Sequence, residues 1–115
     1  MKYLCLIYND EKKTNALPTG QMQAVLDECE PYTAGLRDHG QLIAAERLRP
    51  TNTATTIKVV GGKVSITDGP FAETKEQLGG FLLIDARDLD EALSIAAKMP
   101  PARLGGSVEV RPVWE

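Results

Sequence analysis

Apolar residues recur by twos in some stretches of the chain and by threes and fours in others, and this divides it into eight elements. Residues 2–8, KYLCLIY, are apolar on both alternating sets: Tyr3, Cys5 and Ile7 on one, Leu4, Leu6 and Tyr8 on the other. A strand of that kind is covered on both faces. Residues 9–20 are polar with Pro18 and Gly20 and predict a loop, with Thr19 as N-cap of the next element. From Met22 the period becomes helical. Met22, Val25, Leu26, Cys29, Tyr32 and Leu36 form one stripe, and Gly40 ends it. Pro31 falls inside the stripe, where its missing N–H predicts a kink or a break into two pieces.

The second half reads mainly as strands. LIAAERL (42–48) is a short one. TATTIKVV (53–60) and KVSITD (63–68) alternate through Ile57, Val59, Val64 and Ile66, and Gly61-Gly62 between them is a two-residue hairpin signal. GFLLIDA (80–86) is again apolar on both faces. Asp88 opens a helix with Glu91 three positions on, a capping-box-like start. Its stripe is Leu89, Ala92, Leu93 and Ala96, and Pro100-Pro101 closes it. SVEVRPVW (107–114) is the last strand.

The order is β-α-β-β-β-β-α-β. Without the 53–68 hairpin it is β-α-β-β-α-β, the ferredoxin-like α+β unit, whose two helices share one sheet face. Two strands are nevertheless apolar on both faces, and no third helix exists to cover the second. A second copy is the simplest cover. The expectation is a symmetric homodimer with sheets packed face to face.

Composition narrows the function. The 115 residues suit one domain, 1–115. A net charge of −3 and a pI near 5.2 give no basic excess for phosphate contacts, so no nucleic-acid partner is expected. No apolar run approaches the ~20 residues of a membrane span, and the N-terminus lacks the features of a secretory signal. Cys5 and Cys29 fit no zinc or redox spacing and read as small buried thiols of a reducing, cytoplasmic compartment. The single histidine, His39, makes a His-based metal site improbable, and no metal is expected. No P-loop, dinucleotide fingerprint, HExxH or nucleophile elbow occurs, and no cofactor is expected.

The densest chemistry lies in DGPFAETKEQLGG, residues 68–80. The segment TDGPFAETKEQLGGF resembles the signature of the DGPF-type branch of the YCII-related family. MKYLCLIYND, TATTIKV, DLDEAL and GSVEVRPVWE extend the likeness over nearly the whole chain. The resemblance implies a ferredoxin-like fold and a dimeric α/β barrel. It does not imply one activity. A relative in chlorinated-aromatic breakdown is regarded as a dehydrochlorinase, and some DGPF-type proteins accompany extracytoplasmic-function sigma factors. The wider family is associated with a His–Asp pair, the His on the first helix. The matching segment here, Glu28-Cys29-Glu30, contains no His, which argues against carrying that mechanism over.

Two functional hypotheses follow. In the first, a cleft by the motif binds a small molecule with carboxylate-assisted acid–base or lyase-type chemistry. Asp68 and Glu73 would move protons, and Lys75 or Arg47 would hold an anionic group. In the second, the motif shapes a surface for a partner and catalyses nothing. Each residue has a structural alternative. Asp68 before Gly-Pro suits an Asx-type turn. Glu73, Lys75 and Glu76 suit a solvated cluster. Phe71 suits a plug onto the core or a dimer partner rather than a pocket wall. Glu46 and Arg47 would point to opposite faces of a strand, so only one can face a pocket. Arg111 could pair with a motif carboxylate, and Tyr8 could donate a hydrogen bond at the cleft. His39 suits a helix C-terminus, where the dipole favours a cation.

Overall fold

The computed structural model describes residues 1–115. Its main sheet holds β1 (Lys2–Asn9), β2 (Leu42–Arg47), β5 (Gln77–Asp85) and β6 (Ser107–Pro112). Their order is β2-β5-β1-β6, antiparallel throughout. The strands β3 (Thr55–Val60) and β4 (Lys63–Asp68) pair only with each other, as a separate ribbon. The helices are α1 (Glu11–Asn15), α2 (Gln21–Asp38) and α3 (Leu89–Ala97). With the ribbon and α1 set aside, this is the ferredoxin-like βαββαβ arrangement that the pattern predicts.

One face of the sheet carries the core. Tyr3 and Cys5 stand opposite Ile84 and Leu82, and Leu36 of α2 and Ala92, Ile95 and Ala96 of α3 pack onto them. Met99, in the turn after α3, completes the cluster. On the other face Leu4 stands opposite Leu83 and Leu6 opposite Phe81. These four are only half-buried, and the chain places no helix over them.

The ribbon is a clean hairpin. Ile57 pairs with Ile66 and Val59 with Val64. Gly61 and Gly62 both have positive φ, 56° and 78°. That is the backbone of a type I′ turn, which matches strand twist and suits glycine. At its root Gly69 N–H donates to Ala54 O at 2.7 Å and Thr56 Oγ1 donates to Gly69 O at 2.8 Å.

Several local expectations need correction. The 9–20 segment is not all loop. Asp10 accepts from Lys12 N–H and caps α1, whose Glu11 and Lys12-Lys13 suit the two ends of its dipole. The N-cap of α2 is Gly20 at φ 87°, not Thr19. Pro31 does not break α2, which runs unbroken through it. Gly40 does end α2: Gly40 N–H reaches Arg37 O and Gln41 N–H reaches Leu36 O, the Schellman pattern. Asp88 caps α3 by accepting from Glu91 N–H at 2.9 Å, but α3 buries Ala92, Ile95 and Ala96 while Leu89 and Leu93 stay exposed.

The strand expected from Gly80 starts three residues earlier. Gly79 and Gly80 both lie within β5, which begins at Gln77. The register against β1 shifts there, from Ile7–Gly80 to Tyr8–Leu78, a β-bulge. A Cβ on Gly80 would stand 2.8 Å from Glu46 O, so the close approach of β2 requires glycine.

Candidate functional site

The α2 stripe does not close onto the sheet along its whole length. Val25 and Leu36 are buried, but Met22, Leu26, Cys29 and Tyr32 are half-buried. Beneath them lies a cavity of about 670 Å³. Its floor is Ile7 and Leu82 of the sheet, and Met99 and Leu104 close one side. The rim is polar. It includes Asn9, Glu11 and Gln77 at one end and Glu30 and Arg47 along the mouth, with Arg37 and Arg49 nearby on the lining.

One end of the rim is tied by Glu11. Its carboxylate accepts from Thr51 N–H and from Thr51 Oγ1, each at 3.0 Å. Glu11 N–H in turn donates to Gln77 Oε1 at 2.9 Å. Three segments distant in sequence therefore meet at one residue. Asn9 Oδ1, beside them, is buried without a partner.

The titratable groups on the inner side are held neutral. Tyr32 donates its hydroxyl to Ile95 O, and burial pushes its phenol up to about 12, the nearby Cys5 adding to the effect. Burial raises the Cys5 thiol to about 11. Burial also raises the Cys29 thiol, with Arg47 pulling in the opposite direction. A thiol raised in this way carries little thiolate at neutral pH and is a poor nucleophile. No group of three His, Cys, Asp or Glu side chains comes together as a metal site.

Of the residues that the sequence offers as proton-transfer or ligand-binding groups, Asp68, Glu73, Tyr8, Arg47, Phe71, Lys75 and Arg111, the cavity takes in Arg47 alone. Arg47 stands opposite Gly80 on the helix side of the sheet, whereas Glu46 stands opposite Phe81 on the outer face, so only one of the two side chains faces the cavity, as strand alternation requires. Asp68 ends β4 opposite Thr55 and is exposed. Its carboxylate accepts no backbone N–H, so the Asx-turn arrangement is not formed. Glu73 and Lys75 are exposed and in no ion pair. Phe71 is 81% exposed, so it plugs no part of its own core. Arg111 pairs with Glu109 on its own strand rather than with the motif. Tyr8 lies on the outer sheet face, outside the lining. His39 is exposed with Nδ1 2.7 Å from Gly35 O. Glu76 differs from its motif neighbours: it is half-buried, and its Oε1 is buried with no partner in the chain.

The cavity residues that sequence reasoning passed over are Glu11, Glu30 and Gln77. Glu30 carried a signal, since it is an acidic residue beside the apolar stripe. Glu11 and Gln77 carried none, because their meeting depends on where the 9–20 segment and the bulge fall.

Comparison with known proteins adds a family and two relatives. The family model of the YCII-related domain matches residues 1–115. An uncharacterized protein of Rhizobium meliloti (strain 1021) is 42% identical over 114 residues, covering 98% of this chain and 92% of that protein. Among solved structures, the chain resembles the 5-chloro-2-hydroxyhydroquinone dehydrochlorinase of Burkholderia phenoliruptrix AC1100, in complex with 2,5-dihydroxybenzoquinone. That likeness has a TM-score of 0.50 at 18% identity and covers 100% of this chain and 94% of the other. At that identity it shows the fold alone.

Proposed function

The chain belongs to the YCII-related family, and from that premise we propose that it is a homodimeric protein whose small-molecule ligand occupies the cavity beneath α2. The observation that carries this reading is the cavity itself. Its volume of about 670 Å³ lies within the ~300–1,000 Å³ of small-ligand sites. Its floor is apolar and its mouth carries a carboxylate, Glu30, and a guanidinium, Arg47. The ligand bound to the structurally similar dehydrochlorinase supports a flat oxygenated ring as the class to test first.

In such a complex the floor would take the ring, and Arg47 would hold an anionic oxygen. Glu30 is the carboxylate of the mouth able to accept a proton, which gives acid–base or lyase-type chemistry its group. Asp68 and Glu73 would act outside this cavity, at the surface between copies. The homodimer is supported by the half-buried Leu4, Leu6, Phe81 and Leu83, which face away from both helices. The unpaired cysteines support a reducing, cytoplasmic setting. No helix is long and apolar enough to cross a membrane.

A second reading is a non-catalytic interaction or regulatory module, possible partners including sigma-factor systems. The exposure of Phe71 and Asp68 beside the ribbon favours it.

Thermal unfolding with hydroxylated rings, 2,5-dihydroxybenzoquinone among them, separates the two. The variants are wild type, Leu26→Trp to fill the cavity and Asp68→Asn. A ligand at 100 times its Kd should stabilise wild type by about 2.7 kcal/mol. The same ligand should stabilise Asp68→Asn equally and Leu26→Trp not at all. Equal stabilisation of Leu26→Trp would remove the cavity as the site.

A further inference from the structure

The β3–β4 ribbon has one polar and one apolar face. Thr56, Lys58, Ser65 and Thr67 form the first. Ile57, Val59, Val64 and Ile66 form the second, and each is 61–66% exposed. Nothing in the chain covers that second face. Monomeric proteins rarely expose contiguous apolar patches beyond a few hundred Å², and an isolated two-stranded hairpin is marginal in water. The ribbon also lengthens the molecule. The radius of gyration is 15.9 Å, against about 13 Å for a compact chain of this size.

We propose that the ribbon is an arm that lays its Ile57, Val59, Val64 and Ile66 face on a second copy of this chain, against its outer sheet surface. The inference rests on the homodimer reading and goes beyond it, because it adds an exchanged element to a sheet-to-sheet seam. Three observations select a second copy as the occupant. First, the chain carries two unpartnered apolar surfaces, the arm and the outer sheet face of Leu4, Leu6, Phe81 and Leu83. A two-fold pair consumes both kinds in both copies at once and leaves neither open. Second, the arm is formed for docking: its six-pair register is regular and its polar face can stay in water. Third, two side chains of the segment that returns from the arm to β5 lack partners within their own chain. Phe71 is 81% exposed and Glu76 Oε1 is buried without a donor. A buried carboxylate oxygen without a donor is costly, and an arm lying across the seam brings this segment beside groups of the other copy.

The decisive measurement is sedimentation velocity over a dilution series, on wild type and on Ile57→Lys/Ile66→Lys. Neither side chain is buried by its own chain, so the fold of the variant should survive, with circular dichroism as the check. The expected result is a wild-type dimer and a double variant whose dimer dissociates at concentrations ~100-fold higher or more. Amide exchange across 55–68 should likewise speed up in the variant. A wild-type dimer with an unchanged variant would assign the arm to some other partner and overturn this proposal, while leaving the homodimer standing. A wild type that is monomeric at micromolar concentration would overturn both.

Discussion

The two faces of the main sheet are built from the same strands and nearly the same residue types, yet they end in different environments. Tyr3, Cys5 and Ile7 face the helices and are buried. Leu4 and Leu6, their immediate neighbours, face away and are half-buried. The ribbon takes the contrast further, with apolar residues of the same types left in water. What differs is only which element returns over the strand. Hydrophobicity states that a face must be covered; it does not state by which molecule.

The largest test of that contrast is truncation at paired positions. Ile84→Ala, at a fully buried site, should cost about 2–5 kcal/mol in urea unfolding, at every protein concentration. Leu83→Ala, one residue along on the outer face, should cost less in the isolated chain. Its cost should grow with concentration wherever dimer is the populated state. A concentration-independent loss at Leu83 as large as that at Ile84 would erase the distinction.

Gly80→Ala sharpens it at the strand edge. The added methyl meets Glu46 O at 2.8 Å, whereas at Gly79 the nearest atom is 3.9 Å away. Gly80→Ala should destabilise by about 1–3 kcal/mol, clearly more than Gly79→Ala in the same assay.

Alkaline pH probes the covered face through its buried acids. Tyr32 rises from 10.0 to about 12 and Cys5 from 9.0 to about 11. Both are neutral when protonated, so the folded state holds its proton where the unfolded chain releases it. Their contribution is complete below pH 9 and falls as pH climbs toward 11 and 12. The urea midpoint should therefore drop across that window, and Cys5→Ala should flatten its lower half. In alkylation at neutral pH, Cys29 on the cavity wall should react slowly and Cys5 only on unfolding.

The smallest effects belong to the exposed motif. Asp68→Ala and Glu73→Ala should change the stability of the isolated chain by no more than ~0.5 kcal/mol. Asp88→Ala, which removes a formed N-cap, should cost about 1 kcal/mol by thermal unfolding.

The fold was legible because its signals are local. The alternation of β1 and β5, the Gly61-Gly62 turn, the Gly40 cap and the Asp88 cap each act within a few residues. The errors came where distant parts decide. A proline in an 18-residue helix is carried by the rest of the helix and its packing, so Pro31 produced no break. The pattern starts β5 at Gly80, but pairing with β1 extends it back to Gln77, and the approach of Glu46 explains Gly80. The candidate site was the least legible part. Composition drew attention to Asp68, Glu73 and Lys75, because charges clustered in a motif stand out. The cavity arises instead from α2 standing off the sheet, and its polar rim is assembled from residues 11, 30, 47 and 77. Arg47 was legible as a cation on a strand that could line a cleft, able to hold an anionic group.

The short helix α1 buries no side chain. Its hold on the rim of the cavity is polar, through Glu11 to Thr51 and Gln77. Hydrogen bonds of that kind contribute only ~0.5–1.5 kcal/mol each, far below the stability of the sheet beneath. The rim will therefore open many times while the sheet stays shut. Exchange of solvent with the cavity will keep the clock of five residues at its edge, and the rest of the fold need not move.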